Sequence, residues 1–349
     1  MDLGVRRSSG IVAEKLREYG SIVRDELQRY LPQREPRRFL YDLVADYPRR
    51  GGKMMRPSLC ISTARAFGAS LDEALGTAIG IELMHNASLV HDDIEDESEE
   101  RRGRPTLHRL HGVPLAINAG DLMSLMSLRP LMDSIDFLGP ELALRIIEET
   151  DMMARETAEG QAMDLGWRVE NTTSLCTDDY LQMVLKKTCW LTTIHPIRVG
   201  ALIGTRGHAD LDSFFRFGFF LGASFQIQDD LLNLAQDDGR YGKERDGDLW
   251  EGKRTLMLIH LLQHSTDEER ERLCALLSCR REERTASQVC WLHRLMVERG
   301  SIRHARQIAN GLAGAALHEY SLLFAQLEDS PDKQFLEEIV PWVIERDVA

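Results

Sequence analysis

Two acidic segments of the chain have the residue types and the spacing to bind divalent cations. The first is Asp92–Asp96, with the sequence DDIED, and the second is Phe225–Asn233, with the sequence FQIQDDLLN. Four residues turn a helix by about 400°, so Asp92 and Asp96 would project from one face, roughly 6 Å apart along the axis. Paired carboxylates suit Mg²⁺, which takes its remaining ligands from water and phosphate. The alternative is that such a pair lies on a solvated helix end and binds no ion.

Apolar residues come directly before both acidic segments. The first segment follows Ala87–Val90, and the second follows the apolar run Phe219–Ala223. Carboxylates in this position are expected at the rim of a buried core and not on a wholly polar surface. This placement favours a site over a decorated helix end.

Basic residues accompany the acidic segments in the pattern expected of a phosphate site. The segment Gly51–Pro57, GGKMMRP, places two cations on a glycine turn before a helix that Pro57 can begin. Cations and the amides at a helix start hold phosphate oxygens. Each basic run alone is compatible with a solvated face, but acidic and basic clusters together indicate one or two metal-chelated diphosphates. The later cations are Arg101, Arg102, Arg104, Lys187, Lys243 and Lys253.

The elements that must position these residues are predicted to be helices. Eight of the eleven prolines lie between Pro32 and Pro140, which leaves long proline-free stretches for helices in the rest of the chain. Apolar residues recur at steps of three or four from Leu71 to Ile94 and again from Phe214 to Gln228. No sustained alternation of period two marks a strand. The fold class is therefore predicted to be all-α.

Composition narrows the class of protein further. The net charge of −13 argues against a nucleic-acid partner or an anionic membrane coat. No apolar run is long enough to span a bilayer, and the N-terminal thirty residues show no signal peptide. The six cysteines form no CxxC pair, and scattered free thiols predict a reducing cytoplasm. One domain over residues 1–349 is expected, with residues 1–9 as a flexible tail.

Five segments, in order, resemble the motifs of trans-prenyl diphosphate synthases. The order and spacing hold from about residue 45 to residue 260, and the stretches around His85–Ser88 and Asp92–Asp96 look most like geranylgeranyl diphosphate synthases. The matching segments are Gly51–Pro57 (GGKxxRP), Asp92–Asp96 with Arg101–Gly103 (DDxxD and a trailing RRG), Lys187-Thr188, Phe225–Asp230 (FQxxDD) and Asp248–Thr255.

The resemblance implies a fold and a reaction. Family members are single bundles of mostly antiparallel helices around a deep central cavity, usually as homodimers. Several Mg²⁺ ions bridge the two acidic segments and the diphosphate of an allylic substrate. The C–O bond of that substrate ionises, the double bond of isopentenyl diphosphate attacks the allylic cation, and a proton is then lost. Charge neutralisation of the leaving diphosphate is the physical basis of the catalysis.

The resemblance also implies a role for individual residues. Asp92, Asp96 and Asp229 would ligate Mg²⁺. The allylic diphosphate or its metals would be held by Arg101, Lys187, Thr188, Gln226, Lys243 and Lys253. Isopentenyl diphosphate would be held by Lys53, Arg56, His85 and Arg102.

Three positions leave alternatives open. His85 lies seven residues before Asp92 and shares its helix face, although a lone histidine is more often structural. The ring of Phe225 either stabilises a cation with its face or packs in the core. Asn233 stands where many relatives carry aspartate, which removes one negative charge, and metal binding is expected to persist.

Small residues before the first acidic segment bear on the length of the product. Ala87 and Ser88 lie five and four residues before Asp92, where the resemblance implies that a large aromatic would stop growth near fifteen carbons. We therefore predict a C20 product, with Met84 one turn deeper as the next stop. The alternative is that both residues are small only for helix packing.

Other classes of protein share parts of this pattern. Synthases of other chain lengths, C15 or C25 and longer, carry the same motifs. A class I terpene cyclase also uses DDxxD but has no need of GGKxxRP, and a non-catalytic synthase subunit would have lost acidic segments. A di-iron bundle needs two Glu-x-x-His units, and only Glu82–His85 occurs.

Overall fold

Helices account for almost all of the regular structure. The computed structural model describes residues 10–235 and 246–346. Within these residues the all-α prediction is confirmed. The predicted tail, residues 1–9, and Lys243 lie outside the described residues, and the single-domain boundary stays a prediction.

The N-terminal half supplies nine of the α-helices that the structure describes. A 3₁₀ turn at Gln28–Tyr30 and a π-helical turn at Arg37–Tyr41 lie between the first two helices. The helices are α1 (Ile11–Leu27), α2 (Asp42–Arg49), α3 (Met55–Ala66), α4 (Leu71–Glu95), α5 (Leu107–His111), α6 (Val113–Met126), α7 (Leu128–Asp133), α8 (Ile135–Leu138) and α9 (Pro140–Val169).

The C-terminal half continues the bundle. A ten-residue π-helical segment, Leu185–Ile194, joins α10 to α11 without a break, and 3₁₀ turns lie at Leu211–Phe214 and Arg281–Glu283. The helices are α10 (Thr177–Val184), α11 (His195–Gly204), α12 (Phe215–Leu234), α13 (Gly247–Glu251), α14 (Leu256–His264), α15 (Asp267–Leu277), α16 (Ala286–Glu298), α17 (Ser301–Leu323) and α18 (Pro331–Glu345).

One short β-hairpin follows the first acidic segment. Strands β1 (Glu100–Arg101) and β2 (Arg104–Pro105) pair antiparallel, with Arg101 opposite Arg104. The two loop residues, Arg102 and Gly103, both have positive φ, 55° and 70°. Two positive φ values are the conformation of the tightest hairpin turns, where glycine is favoured. The hairpin therefore brings two of the predicted phosphate-binding arginines back over the end of α4.

Helix α4 is the central element that positions the site. It begins with a capping box at Ser70 and Glu73 and ends at the first acidic segment. Its buried residues include apolar side chains on nearly every turn, so neighbouring helices surround it. Asp92 and Asp93 occupy its last turn, and Asp96 is its C-terminal cap.

The buried apolar residues form three clusters around the helices. One joins α1, α4 and α6, a second joins the π-helical segment to α12, α14 and α16, and a third joins α3 and α12 to α18. The cavity described below lies among these clusters. Within the described ranges, no helix combines the length and the apolarity that crossing a bilayer requires.

Candidate active site

A cavity of about 630 Å³ is lined by both charged and apolar side chains. Side chains from α3, α4, α9, the π-helical segment and α12 line it. Both predicted acidic segments contribute, since Asp92 and Asp229 line the same cavity. Its apolar lining, called the methionine wall below, includes Met84, Met153 and Met183. Charged and apolar side chains therefore line one and the same pocket.

The two carboxylates predicted to share one face of α4 have different surroundings. Asp92 lines the cavity, whereas Asp96 is 3% exposed. One oxygen of Asp96 lies 2.8 Å from the Lys253 ammonium, and the other accepts from Arg168 at 2.8 Å. Burial alone would raise the pKa of Asp96, but Lys253, Lys187 and Arg168 hold it well below its usual range. Asp96 is therefore ionised, and its negative charge is compensated by Lys253 and Arg168 behind the cavity wall.

Asp93, between the two, anchors the end of α4. Arg101 donates to both of its oxygens, and the Tyr47 hydroxyl donates to Oδ2 at 2.5 Å. Tyr47 also accepts the backbone N–H of Leu107 at 3.4 Å. Burial, followed by the charge of Asp93, raises the pKa of the Tyr47 hydroxyl. Arg101, which is expected to bind diphosphate, is thus hydrogen-bonded to Asp93. Its guanidinium also lies 3.6 Å from the Asp92 carboxylate.

Two half-buried lysines face the acidic groups. Lys187 pairs with Asp164 and lies 3.6 Å from Asp92. Lys253 pairs with Asp96 and Glu251. Burial favours neutral lysine, but the pKa of both ammonium groups is raised because carboxylates surround them. Both lysines therefore remain cations at the site.

The second acidic segment also divides into an open and a buried carboxylate. Asp229 and Asp230 both line the cavity, and the Asp229 side chain is 26% exposed. Asp230 is buried and accepts hydrogen bonds from the Tyr180 hydroxyl and the Gln226 amide, both at 2.7 Å. Burial, followed by the charge of Asp248, raises the pKa of Asp230 to about 7. Gln226, expected to bind diphosphate, also accepts from the Thr188 hydroxyl at 2.9 Å.

Asn233, where relatives often carry aspartate, has a structural contact. Its side-chain oxygen accepts the backbone N–H of Asp248 at 3.0 Å, and its backbone carbonyl accepts the N–H of Asp246 at 3.2 Å. An amide makes these bonds without adding a charge beside Asp230 and Asp248. The departure therefore fits the local structure.

The four residues expected to hold isopentenyl diphosphate converge at one side of the mouth. All four line the cavity: Lys53, Arg56, His85 and Arg102. Arg56 lies 3.1 Å from the His85 ring and donates to the Thr192 hydroxyl at 2.7 Å. Burial lowers the pKa of Arg56 to about 10 and raises that of Glu82, the buried carboxylate near these cations. His85 therefore contacts a cavity cation, and its role in substrate binding stays a prediction.

Gly52 requires the small size of glycine because its backbone lies against Arg102, one of these cations. A Cβ atom on Gly52 would lie 2.8 Å from the Arg102 guanidinium, and φ of Gly52 is 157°. Arg102 donates to the Tyr47 carbonyl at 2.9 Å. The GGK turn and the hairpin turn are thus built against each other.

The predicted chain-length residues do not all face the cavity. Met84 and Ser88 line it, but Ala87 does not. Ala87 is fully buried in the cluster that includes Ala116 and Ala119 of α6. Its small size therefore serves close packing of α4 on α6. The expectation that Ala87 lies beside the growing product chain is wrong.

Several residues of the cavity escaped the sequence reasoning. Glu95, Gln161, Asp164, Tyr180, Asp248 and Arg346 all line it. Gln161 and Asp164 lie three residues apart on one face of α9, directly after Gly160, and that polar spacing was an available signal. Arg346 stands far from every motif, so nothing local marks it.

The open carboxylates suit a hard cation. In residues 10–235 and 246–346, no three acidic, histidine or cysteine side chains already converge on one ion position. The groups at the mouth are carboxylates of Asp92 and Asp229, and oxygen donors supplied in ones and twos are the protein ligands that Mg²⁺ prefers. These residues therefore fit Mg²⁺ held jointly with diphosphate oxygens.

An all-helical bundle with carboxylates and cations at the mouth of an apolar cavity defines an isoprenoid synthase. The profile of the polyprenyl synthetase family matches residues 37–293, and the chain belongs to this family. It is a prenyltransferase, a trans-prenyl diphosphate synthase. The di-iron alternative is thereby set aside.

Relatives resemble the chain over nearly its whole length. Geranylgeranyl pyrophosphate synthase of Geoglobus acetivorans is 31% identical, covering 97% of this chain and 100% of the relative. The crystal structure of geranylgeranyl pyrophosphate synthetase from Pyrococcus horikoshii Ot3 superposes with a TM-score of 0.84 at 31% identity, covering 97% and 98%. Geranylfarnesyl diphosphate synthase of Natronomonas pharaonis is 28% identical, covering 97% and 99%. The names of these relatives differ in product length.

Proposed function

We propose that this enzyme condenses isopentenyl diphosphate with an allylic diphosphate to make geranylgeranyl diphosphate, a C20 product. The observation that carries the proposal is Ser88, a small residue on the cavity wall one turn from Asp92. A growing chain can pass Ser88 and then meets Met84, a flexible and bulky apolar side chain one turn deeper.

A second candidate product is one unit longer. The residues of the methionine wall, Met84, Met153 and Met183, have unbranched side chains that can rearrange. Such a wall stops a chain less sharply than an aromatic ring does. A C25 product is therefore the alternative, and a relative of that class is similar to this chain.

The residues at the mouth have complementary tasks in this reaction. Lys53, Arg56 and Arg102 hold isopentenyl diphosphate, and His85 orients Arg56. Lys187, with Lys253 behind it, stabilises negative charge on the departing allylic diphosphate as its C–O bond breaks. The new C–C bond forms in the apolar part of the cavity, where water is excluded. The proton lost from the condensed product goes to the released diphosphate.

Magnesium is assigned to the open carboxylates. The family is Mg²⁺-dependent, and several ions per site are proposed here, held by Asp92 and Asp229 with Asp96 as a buried supporting charge. Bound Mg²⁺ supplies positive charge that stabilises diphosphate as a leaving group. Lys243 remains a proposed diphosphate ligand.

Product sizing tests the proposed chain length. The purified protein is incubated with isopentenyl diphosphate and dimethylallyl, geranyl or farnesyl diphosphate, with and without Mg²⁺. We expect a dominant C20 product that requires both isopentenyl diphosphate and Mg²⁺. A dominant C15 or C25 product contradicts the length, and a cyclic hydrocarbon from the allylic substrate alone would indicate a terpene cyclase.

A homodimer is also proposed, on the exposed apolar face of α6. Val113, Ile117 and Leu125 lie at steps of four and eight residues, so they share one face, and each is more than 40% exposed. A twofold dimer uses the same patch on both subunits, and an apolar stripe is self-complementary in this way. A cytoplasmic location is proposed on the six free thiols.

The oligomeric state is measured by sedimentation of the wild type and of I117D/L125D. We expect a dimer for the wild type and a monomer for the double variant. Leu322→Asp, an equally exposed site on α17, is the matched control and should stay dimeric. A monomeric wild type contradicts the proposal.

A further inference from the structure

A buried tyrosine holds one end of a hydrogen-bond chain along the cavity. Tyr180 lies on α10, lines the cavity and is 1% exposed. Its hydroxyl donates to Asp230 Oδ2 at 2.7 Å. Burial, followed by the charge of Asp230, raises the pKa of Tyr180 well above its usual range, so the hydroxyl keeps its proton and remains a donor. Tyr180 lies outside the five segments that resemble family motifs.

The chain continues from Asp230 to two residues expected to bind the allylic diphosphate. Gln226 Nε2 donates to Asp230 Oδ1 at 2.7 Å, one turn along α12. The Thr188 hydroxyl, on the π-helical segment, donates to Gln226 Oε1 at 2.9 Å. Three hydrogen bonds of ordinary length therefore tie α12 to α10 and to the π-helical segment.

The carboxylate determines which way the Gln226 amide points. An ionised carboxylate only accepts hydrogen bonds, so the amide nitrogen must face Asp230 and the amide oxygen must face the Thr188 hydroxyl. An amide nitrogen carries two hydrogens, and Asp230 accepts one of them, which leaves the second for a diphosphate oxygen. A reversed amide would place its oxygen against the carboxylate. Gln226 lines the cavity, so a ligand bound there meets the atoms that this orientation presents.

Tyr180 in turn fixes the carboxylate. Asp230 is 6% exposed, and each of its oxygens accepts one of these bonds, Oδ2 from Tyr180 and Oδ1 from Gln226. Without the tyrosine hydroxyl, Oδ2 would be a buried acceptor that has lost its donor, which is unfavourable inside a protein. The carboxylate would then turn or take up a proton to recover a partner. Either change weakens its hold on the Gln226 amide.

We propose that Tyr180 is a positioning residue that orients the Gln226 amide, through Asp230, for the allylic diphosphate. This inference rests on the condensation proposed above and on the diphosphate-binding role expected of Gln226. Because Tyr180 acts at the allylic side, its loss should leave the binding of isopentenyl diphosphate unchanged.

Steady-state kinetics of Y180F, with each substrate varied in turn, provide the test. A hydrogen bond to a charged group corresponds to about a tenfold change in binding, so the KM for farnesyl diphosphate should rise about tenfold. The KM for isopentenyl diphosphate should stay at the wild-type value. Y19F is the matched control, because Tyr19 donates in the same way to the buried Asp332 but does not line the cavity. It should lower the unfolding midpoint and leave both KM values unchanged.

A double-variant cycle shows whether the effect passes through Gln226. In a Q226A background, Y180F should not raise the KM for farnesyl diphosphate further. A wild-type KM for farnesyl diphosphate in Y180F, an equal rise of both KM values, or the same rise in both backgrounds overturns the proposal.

Should Y180F fail to fold, D230N is measured in its place at saturating Mg²⁺. This change keeps the shape of the side chain but replaces one acceptor of the chain by a donor. The same selective rise in the KM for farnesyl diphosphate is expected, and a D230N protein without it overturns the proposal.

The wild type and Q226A separate failure of the proposed function from failure of this inference. A wild type that forms no condensed product from the two diphosphates contradicts the proposed function. An active Q226A with a wild-type KM for farnesyl diphosphate contradicts the role of Gln226. An active Y180F with wild-type KM values, beside a Q226A whose KM for farnesyl diphosphate is raised, contradicts only the role of Tyr180.

Discussion

Neighbouring acidic residues at this site differ in exposure because different side chains pack against them. Asp92 and Asp229 line the cavity and are partly exposed, Asp230 lines it but is buried, and Asp93 and Asp96 are buried against partners. The buried carboxylates are not spare ligands. They hold the arginine, lysine and tyrosine side chains that shape the mouth, so their loss would disturb the open pair indirectly.

Replacing Ser88 by phenylalanine should shorten the product. Ser88 lines the cavity, and its hydroxyl donates to the Met84 carbonyl one turn back, at 3.0 Å. A ring at this position would obstruct the path toward Met84. We expect the main product to move from C20 toward C15, measured by chromatography of the dephosphorylated alcohols.

Ser88→Ala is the matched control for this change, because it removes the hydroxyl without adding volume. It should keep the wild-type product. If Ser88→Phe is folded and active but its product distribution is unchanged, the growing chain does not pass this residue.

Removing the Tyr47 hydroxyl should weaken the support of the hairpin. Tyr47→Phe deletes the bond to Asp93, and a hydrogen bond to a charged group contributes about 1.5–3 kcal/mol. Arg101 still satisfies Asp93, so we expect about 1–2 kcal/mol lower stability in urea unfolding. The KM for isopentenyl diphosphate should rise because Asp93, which loses this bond, holds Arg101 in the hairpin next to Arg102.

Arg109→Lys offers a control for this substitution, since Arg109 pairs with Glu99 on the exposed surface. An exposed pair contributes little to stability, and the change should leave KM unaltered. A Tyr47→Phe protein with wild-type stability and KM would refute the supporting role of the hydroxyl.

At the scale of elements, the close approach of α9 to the π-helical segment positions Lys187. A Cβ atom on Gly160 would lie 2.1 Å from the backbone nitrogen of Lys187. π-Helical turns inside helices are frequently found at functional sites. Here the wider turn lies where Lys187 meets Asp164, and glycine allows the two backbones to touch.

Gly160→Ala should therefore destabilise the protein and reduce its activity. Alanine gains up to about 1 kcal/mol in helix propensity, but a backbone clash costs about 1–3 kcal/mol or more, so the clash outweighs the gain. The displaced segment should carry Lys187 away from Asp92. Chemical unfolding and kcat are the measurements.

The same helix supplies a matched control. Gly166 has no atom within 4 Å of the position of a Cβ, so Gly166→Ala should be neutral or stabilising by up to about 1 kcal/mol. Equal effects of the two substitutions would mean that the close approach at Gly160 is unimportant.

On the scale of the whole molecule, a histidine stack joins α14 to α17 away from the cavity. The His260 ring stacks on those of His264 and His304, with centroid distances of 4.0 Å and 4.3 Å. Burial, followed by the charges of His264 and His304, lowers the pKa of His260 to about 4. The surroundings of His260 therefore favour its neutral form, which makes this contact sensitive to acid.

His260→Gln should reduce the acid sensitivity of the fold. Between pH 6.5 and about 4 the unfolded chain binds a proton at His260 that the folded protein does not, so stability falls as pH falls through that window. After allowance for solvent screening at this partly exposed ring, the contribution is about 1 kcal/mol. The measurement is the difference in unfolding free energy between pH 7 and pH 4.5, wild type against variant.

His208→Gln, at an exposed position outside the stack, controls for the loss of any histidine. It should follow the wild-type pH curve. Parallel curves for the wild type and His260→Gln would show that the stack does not titrate on unfolding.

Much of the site was predictable because motif residues near one another in sequence share a helix end or a turn. Helical geometry alone places Asp92 at the end of α4, and GGK and RRG have the glycines that tight turns need. Ala87 was misplaced for a related reason, since the helix period assigns a residue to a face but does not say whether α6 or a cavity covers that face. Arg346 had no local signal at all.

The sequence by itself determined the all-helical class, the family and the residue types at the cavity mouth, because periodicity, prolines and motif spacing are local properties. Only the tertiary structure decided which carboxylates open into the cavity, which cations neutralise the others, and that the C-terminal helix ends beside Asp229. Those outcomes depend on contacts between helices distant in sequence, where burial and charge pairing set the environment of each side chain.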